Sequence, residues 1–221
     1  MNIVWASINT TSLESTVSNI IDISLIFQVD GKTVKTKDWS VQPILHIEDA
    51  LFGGCYGQSF VDYYNKDAGQ QLALSEFGFT YSVSTLNYLK LSDADLINRQ
   101  NAKEVLFELL ADLDGADWIL AGHSVAFLIA HLKGWSERCD EVGHKKLLKI
   151  LNFDKSIDTI PFFKTISLFR PLADLSLKSV AQAYGKAVGL DTKSKIDTLY
   201  SICGSLCRQL PHPLGAGLEF K

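Results

Sequence analysis

Three short stretches of this 221-residue chain carry side chains that a fold could gather for chemistry. In WASINTTSL, residues 5–13, an apolar β-prone run ends in Ser7, Asn9, Thr10 and Thr11. Carboxylates in such places could hold divalent cations, whereas hydroxyl and carboxamide oxygens are only neutral donors. In ILAGHSVAFLIAHL, residues 119–132, His123 and Ser124 stand between a short strand and a helix. A base or a nucleophilic hydroxyl would be exposed there. In TKSKIDTL, residues 192–199, Lys193, Ser194 and Lys195 open a helix that continues through Asp197 and Leu199. Ammonium groups so placed suit a phosphate ligand. Cys203 and Cys207 would share a helix face, but two thiols without a second pair make a weak zinc site. Buried free thiols in a reducing, cytoplasmic setting are expected instead.

The elements that must position these residues follow from periodicity. Residues 3–8 read as a buried strand and Ile20–Val29 as another. Asp30-Gly31 and an alternating run at 32–41 complete a β-hairpin. Apolar residues Ala102, Val105, Leu106, Leu109, Leu110 and Leu113 predict a helix over 101–114, stopped by Gly115. A short strand at 118–121, a turn at 122–124 and a helix from 125 come next. A basic helix is predicted at 144–151, strand material at 161–168, a helix at 175–185 and a last helix at 193–210 ahead of Pro211. Residues 43–100 show no clean period, and short helices and loops are expected there, with Gly53, Gly54 and Gly57 as a flexible cluster.

Composition sets outer limits. The chain is 47% hydrophobic and 21% charged, enough apolar material for a substantial core. No run of eighteen apolar residues predicts a membrane span, and no basic-then-apolar start predicts a signal peptide. With neither linker nor repeat, one domain over 1–221 is expected. The net charge of −4 divides unevenly: residues 1–140 hold 9 Lys/Arg and 18 Asp/Glu, residues 141–221 hold 12 and 7. An acidic whole argues against indiscriminate coating of nucleic acid, which clustered cations drive. The basic stretch from Lys145 to Lys195 could form a local patch, or simply a solvated face.

The order of these pieces resembles the DEDD superfamily of 3′–5′ exonucleases, of the proofreading (DnaQ-like) type. There a first strand ends in Asp-x-Glu-Thr-Thr-Gly; here Ser7-Ile8-Asn9-Thr10-Thr11-Ser12 stands in its place. The second strand and Gly-containing hairpin are matched by Ile20-Ile21-Asp22-Ile23 and Asp30-Gly31-Lys32. The family's Gly/Ala-His-Asn-x-x-Phe-Asp is matched at His123 and Phe127, with Ser124 for Asn and Leu128 for Asp. A Ser-Leu-x-x-Leu-Ala-x-x-x-Gly helix corresponds to residues 176–185. The closing His-x-Ala-x-x-Asp falls on Ser194, Ile196 and Leu199.

The resemblance implies an α/β, RNase H-like fold: a mixed five-stranded sheet, N-terminal antiparallel hairpin strands then parallel ones, flanked by helices. It also implies that the motif is degenerate. Phosphodiester cleavage in this family needs two divalent ions held by four carboxylates, with a His as general base. Those positions here hold Ser7, Asn9, Leu128 and Leu199, and Ser194 at the base. No cofactor and no metal are expected. Relocated ligands could only come from Asp22 or Asp197, and Asp197 should turn away from the direction of Leu199. The implied protein is a pseudoenzyme that binds single-stranded DNA or RNA ends through Thr10, Thr11, His123, Ser124, Lys193 and Lys195. Alternatively it is a scaffold for a replication, repair or transposition protein, or for its own copies.

One rival enzyme reading exists. Ala121 to Ala126 also resembles the nucleophile elbow of α/β-hydrolases, with Ser124 as nucleophile, Asp174 or Asp191 and His212 completing a triad, and Gly53-Gly54 as oxyanion loop. Against it, Ala126 replaces the usual Gly, and the early hairpin suits the exonuclease order better. His123 is read as a turn residue, Phe127 as a core anchor, and Trp5, Trp39, Trp118 and Trp135 as core or contact residues rather than stacking platforms.

Overall fold

The computed structural model describes residues 1–13, 15, 18–44, 87–92, 95–96, 98–151, 155–168 and 172–209. The Gly53–Gly57 cluster and His212 lie outside these residues, as does the side chain of Cys207.

The apolar run of the first segment makes β1 (Asn2–Thr10), buried on both faces because both are covered. β2 (Ile20–Val29) pairs antiparallel with β1, and β3 (Lys32–Ser40) pairs antiparallel with β2. Asp30 and Gly31 both take positive φ, +47° and +81°. Two such residues form the tight turn whose twist matches a hairpin, and an Asp-Gly pair tolerates it.

Helix α1 (Ala102–Leu113) follows, and its six predicted apolar residues are its buried ones. Asn101 caps it, its side-chain oxygen accepting from the Lys103 amide at 2.9 Å. β4 (Trp118–Gly122) lies parallel to β1, and the two-residue β5 (Ile157–Asp158) lies parallel to β4. The sheet order is β3-β2-β1-β4-β5. This is the mixed five-stranded arrangement expected.

The remaining helices are α2 (Val125–Cys139), α3 (Glu141–Ile150), α4 (Thr159–Ser167), α5 (Leu177–Ala183) and α6 (Thr192–Gln209). They cover the sheet in two layers. Val4, Ala6 and Ile8 face a core with α1, α2 and Leu147 of α3. Ile3, Trp5, Ile26 and Ala121 face a core with Phe163, Val180, Ile196 and Leu199 from α4, α5 and α6. Each fully buried Leu, Ile or Phe side chain contributes about 1.5–3 kcal/mol. The four tryptophans are at most 6% exposed, so they belong to the core.

Two expectations are corrected. Residues 161–168 read as strand from their Phe, Ile and Thr content, yet 161–167 belong to α4 and Leu168 caps its C-terminus. The Asp158 carboxylate accepts from the Ile160 amide at 2.9 Å, and Pro161 sits in the first turn, where its missing N–H costs nothing. The true strand is the short Ile157–Asp158. The basic C-terminal third is also no single patch. Lys145, Lys146 and Lys149 ride on α3 in one layer, while Lys193 and Lys195 ride on α6 in the other. Among the described residues, no helix is long and apolar enough to cross a membrane.

Candidate functional site

A β-strand turns alternate residues to opposite faces, so Ile3, Trp5, Ser7 and Asn9 share the face on which α6 packs. Near the end of β1 this face opens into three adjoining cavities. The inner one, about 150 Å³, is bounded by Ser7, Leu128 and Leu199. The middle one, about 370 Å³, shares Ile8, Phe127 and Lys195 with it. The outer one, about 600 Å³, shares Asn9 and Leu89 with the middle. Together they form a groove across the sheet end.

Asn9 and Lys195 occupy its centre. The Lys195 ammonium donates to Asn9 Oδ1 at 2.5 Å. The Asn9 amide nitrogen donates to Asp22 Oδ2 at 3.1 Å and to the Leu190 carbonyl at 3.3 Å. Asp22 Oδ1 in turn accepts from Arg99 Nη1 at 2.9 Å. The chain Arg99–Asp22–Asn9–Lys195 therefore alternates donors and acceptors without a conflict, which fixes the orientation of the carboxamide. Burial pushes the Lys195 pKa down, against the pull of the Asp22 and Asp191 carboxylates. In the outer cavity, Ser24 Oγ donates to Asp38 Oδ1 at 2.6 Å and so accepts from the Thr192 hydroxyl at 2.7 Å.

Of the residues singled out in the sequence, Ser7, Leu128, Leu199, His123 and Lys195 come together around the inner cavity. Asn9 stands next to it, joined through Lys195. Ser194 does not join them: its hydroxyl accepts from the Gly189 amide at 2.7 Å and its own amide donates to Asp191. Lys195, one residue on and four before Leu199, takes the groove side instead, as helical spacing requires. Thr10 lines the middle cavity, but its hydroxyl donates to the Ser12 carbonyl at 2.7 Å. Thr11 is fully buried and its hydroxyl accepts from the Asn19 amide, so it closes the β1–β2 connection rather than meeting a ligand. Lys193 lines the outer cavity and pairs with the half-exposed Asp197. Ser124 is absent from the groove lining.

His123 is held at both ring nitrogens. A carbonyl only accepts, so Nε2 carries the proton to Leu175 O at 2.8 Å, and Nδ1 accepts from the Thr159 hydroxyl at 3.0 Å. Burial lowers its pKa, opposed by the Leu175 carbonyl and Asp158. It is a turn residue that ties β4 to α4 and the start of α5. Phe127 is half-buried: it packs against the core shared by β1, α1 and α2, as expected, and also forms part of the groove wall, against His131. Arg99 escaped the sequence reading because its surroundings have no period. Lys195 was legible as a cation but not as the centre of the site.

The hydrolase constellation does not assemble among the described residues. Ser124 takes a left-handed conformation, φ 62° and ψ 61°, but its amide and that of Val125 are held by the Asp158 carboxylate. Asp174 and Asp191 each accept from a nearby amide, Ser176 and Ser194, in local turns.

The exonuclease resemblance implies a pair of divalent cations, and the donor set of the inner cavity does not fit them. Its polar groups are the Ser7 hydroxyl, an imidazole engaged at both nitrogens and an ammonium. Hard cations bind through carboxylate and carbonyl oxygens. An ammonium about 4 Å from such an ion repels it by several kcal/mol even at an effective dielectric near 20. Among the described residues, no cluster of three or more His, Cys, Asp or Glu side chains is placed to hold a metal.

No family model matches this sequence, and no curated protein sequence does. Solved structures do match it. Exonuclease I superposes over 97% of this chain with a TM-score of 0.68 at 9% identity. The fold is that of a part of exonuclease I. Escherichia coli exonuclease I in complex with a dT13 oligonucleotide covers 91% of the chain with a TM-score of 0.64 at 9% identity. Exonuclease I from Methylocaldum szegediense covers 97% with a TM-score of 0.62 at 10% identity. This chain spans only 42%, 40% and 42% of the length of those three proteins. At such identities the likeness speaks for architecture, and chemistry must be argued from the groove.

Proposed function

We propose that this chain is one exonuclease-fold domain that binds a single-stranded nucleic-acid end in the groove and does not cut it. The observation that carries the reading is the makeup of the inner cavity: Ser7, Leu128, Leu199 and Lys195 together, and no carboxylate in its lining. Cleavage through two metal ions needs anionic oxygens to hold them about 3.5–4 Å apart. Ser7 and Asn9 supply neutral oxygens, and the two leucines supply packing. Asp22 is engaged by Arg99 and Asn9, and Asp197 by Lys193, so neither substitutes.

Three features support nucleic acid as ligand. The groove is open and long, its wall carries Lys193, Lys195 and Arg99, and proteins of this fold have been solved with dT13 and dA16 oligonucleotides. Buried cysteines at Cys139 and Cys203, outside any disulfide, fit a reducing compartment such as the cytoplasm.

Two measurements test the reading. Labelled single-stranded DNA and RNA should show no release of nucleotides with magnesium or manganese. Their binding should weaken as salt rises, because phosphate contacts release counterions. Metal-dependent release that is lost in Asp22→Asn or Asp197→Asn would overturn it. Absence of any strand binding would turn the assignment toward a protein partner or self-association.

A further inference from the structure

We propose that Lys195 is the groove's resident cation, contacting a phosphate of the bound strand so that binding needs no divalent metal. This rests on the strand-binding reading above and adds the contact that makes it work.

The argument begins with donor counting. An ammonium carries three N–H donors. Among the described residues, Asn9 Oδ1 is the one partner of Lys195, leaving two donors for a ligand. Lys195 lines both the inner and the middle cavity, and its ammonium meets Asn9, which lines the middle one. It is half-buried, and a partly desolvated charge gains most from an opposite charge brought to it. Both nearby carboxylates are already engaged: Asp22 accepts from Arg99 and from Asn9, and Asp191 from the Ser194 amide.

The ammonium is also held in place. Asn9 cannot turn its oxygen away without presenting an amide N–H to Lys195 and an oxygen to Asp22 and the Leu190 carbonyl. Ile196 and Leu199 of the same helix are buried at 2% exposure and anchor the first turns of α6. The result is a positive charge held at a fixed point of the groove, between the inner and middle cavities. A phosphodiester presents non-bridging oxygens of the matching charge, and a hydrogen bond between charged partners is about twice as strong as a neutral one.

The test is binding of a labelled oligothymidylate with EDTA and with magnesium, read by fluorescence anisotropy. The affinity of the wild-type protein should agree within about twofold in the two buffers. Lys195→Met should weaken binding tenfold or more and flatten the salt dependence by about 0.7 in log–log slope, one phosphate's share. Lys195→Arg, which keeps the charge, should recover part of the loss. Lys149→Met, in the opposite layer, should change nothing. Should Lys195→Met fail to fold, the wild-type protein supplies a second measurement: the oligonucleotide should protect Lys195 from acylation by an N-hydroxysuccinimide ester, read by peptide mass spectrometry. Binding that needs magnesium, or that is unchanged in Lys195→Met, or that leaves Lys195 unprotected, overturns the inference while strand binding stands. No binding in either buffer overturns both.

Discussion

Asn9 and Lys195, 186 residues apart in sequence, meet at 2.5 Å across the end of the first strand. The contact joins a carboxamide from β1 to an ammonium from α6, and Asp22 and Arg99 extend it across β2. A neutral side chain bound to a cation thus stands at a place where the exonuclease resemblance implies an anion bound to a metal.

Removing the carboxamide should therefore destabilise the protein. Asn9→Ala takes a partner from Lys195, Asp22 and the Leu190 carbonyl at once. An unsatisfied buried polar group costs about 1–3 kcal/mol. Urea unfolding should show a loss in that range, with the slope against denaturant unchanged.

The two faces of α6 should respond differently. Leu199 is 2% exposed, and Leu199→Ala should cost about 2–5 kcal/mol through the cavity it leaves. Asp197 is half-exposed in an i,i+4 pair with Lys193, so Asp197→Ala should stay within about 0.5 kcal/mol. Manganese titration followed by calorimetry should give no heat of site binding in either variant or the wild type. A site lost in Asp197→Ala would show that this side chain is a ligand.

Gly122 ends β4 under Leu128. A Cβ on it would lie 2.5 Å from Leu128 Cδ1 and 2.9 Å from the Ala6 carbonyl oxygen. The leucine can shift, but the strand backbone of β1 cannot. Gly122→Ala should cost about 1–3 kcal/mol by overpacking, and thermal unfolding would register it as a lower midpoint.

Two histidines should make the fold sensitive to acid. Burial lowers the pKa of both His123 and His131 below the ordinary value. The unfolded chain then takes up protons that the folded one refuses. Stability is fully present above about pH 6.5, the unfolded value, and is lost as pH falls toward the depressed folded values. Urea midpoints at pH 7.5 and 5.5 should show the drop, and His123→Gln should reduce it. An equal drop in the variant would remove His123 as a source.

Serine chemistry makes a clean contrast. A serine-directed fluorophosphonate should leave Ser124 unlabelled, because the amides beside it are held by Asp158 and its hydroxyl has no histidine partner among the described residues. Labelling that is lost in Ser124→Ala would restore the hydrolase reading.

What could be read from the sequence was what depends on neighbours along the chain. The Asp-Gly turn, the six-residue apolar face of α1, the extent of β2 and the buried strand at the start of β1 are local matters of φ, ψ and periodicity. Order along the chain was enough to suggest the RNase H-like sheet. Local preference misled at residues 161–168, where β-prone side chains form α4 because Asp158 caps it and Phe163 is fully buried beneath it. The groove belongs to neither category. Which hydroxyls face inward, that Ser194 turns away while Lys195 turns in, and that Asp22 is taken by Arg99 depend on contacts between residues far apart in sequence. Charge and hydrogen-bond partners are set by distance in space, and only the packing of α6 across β1 fixes those distances.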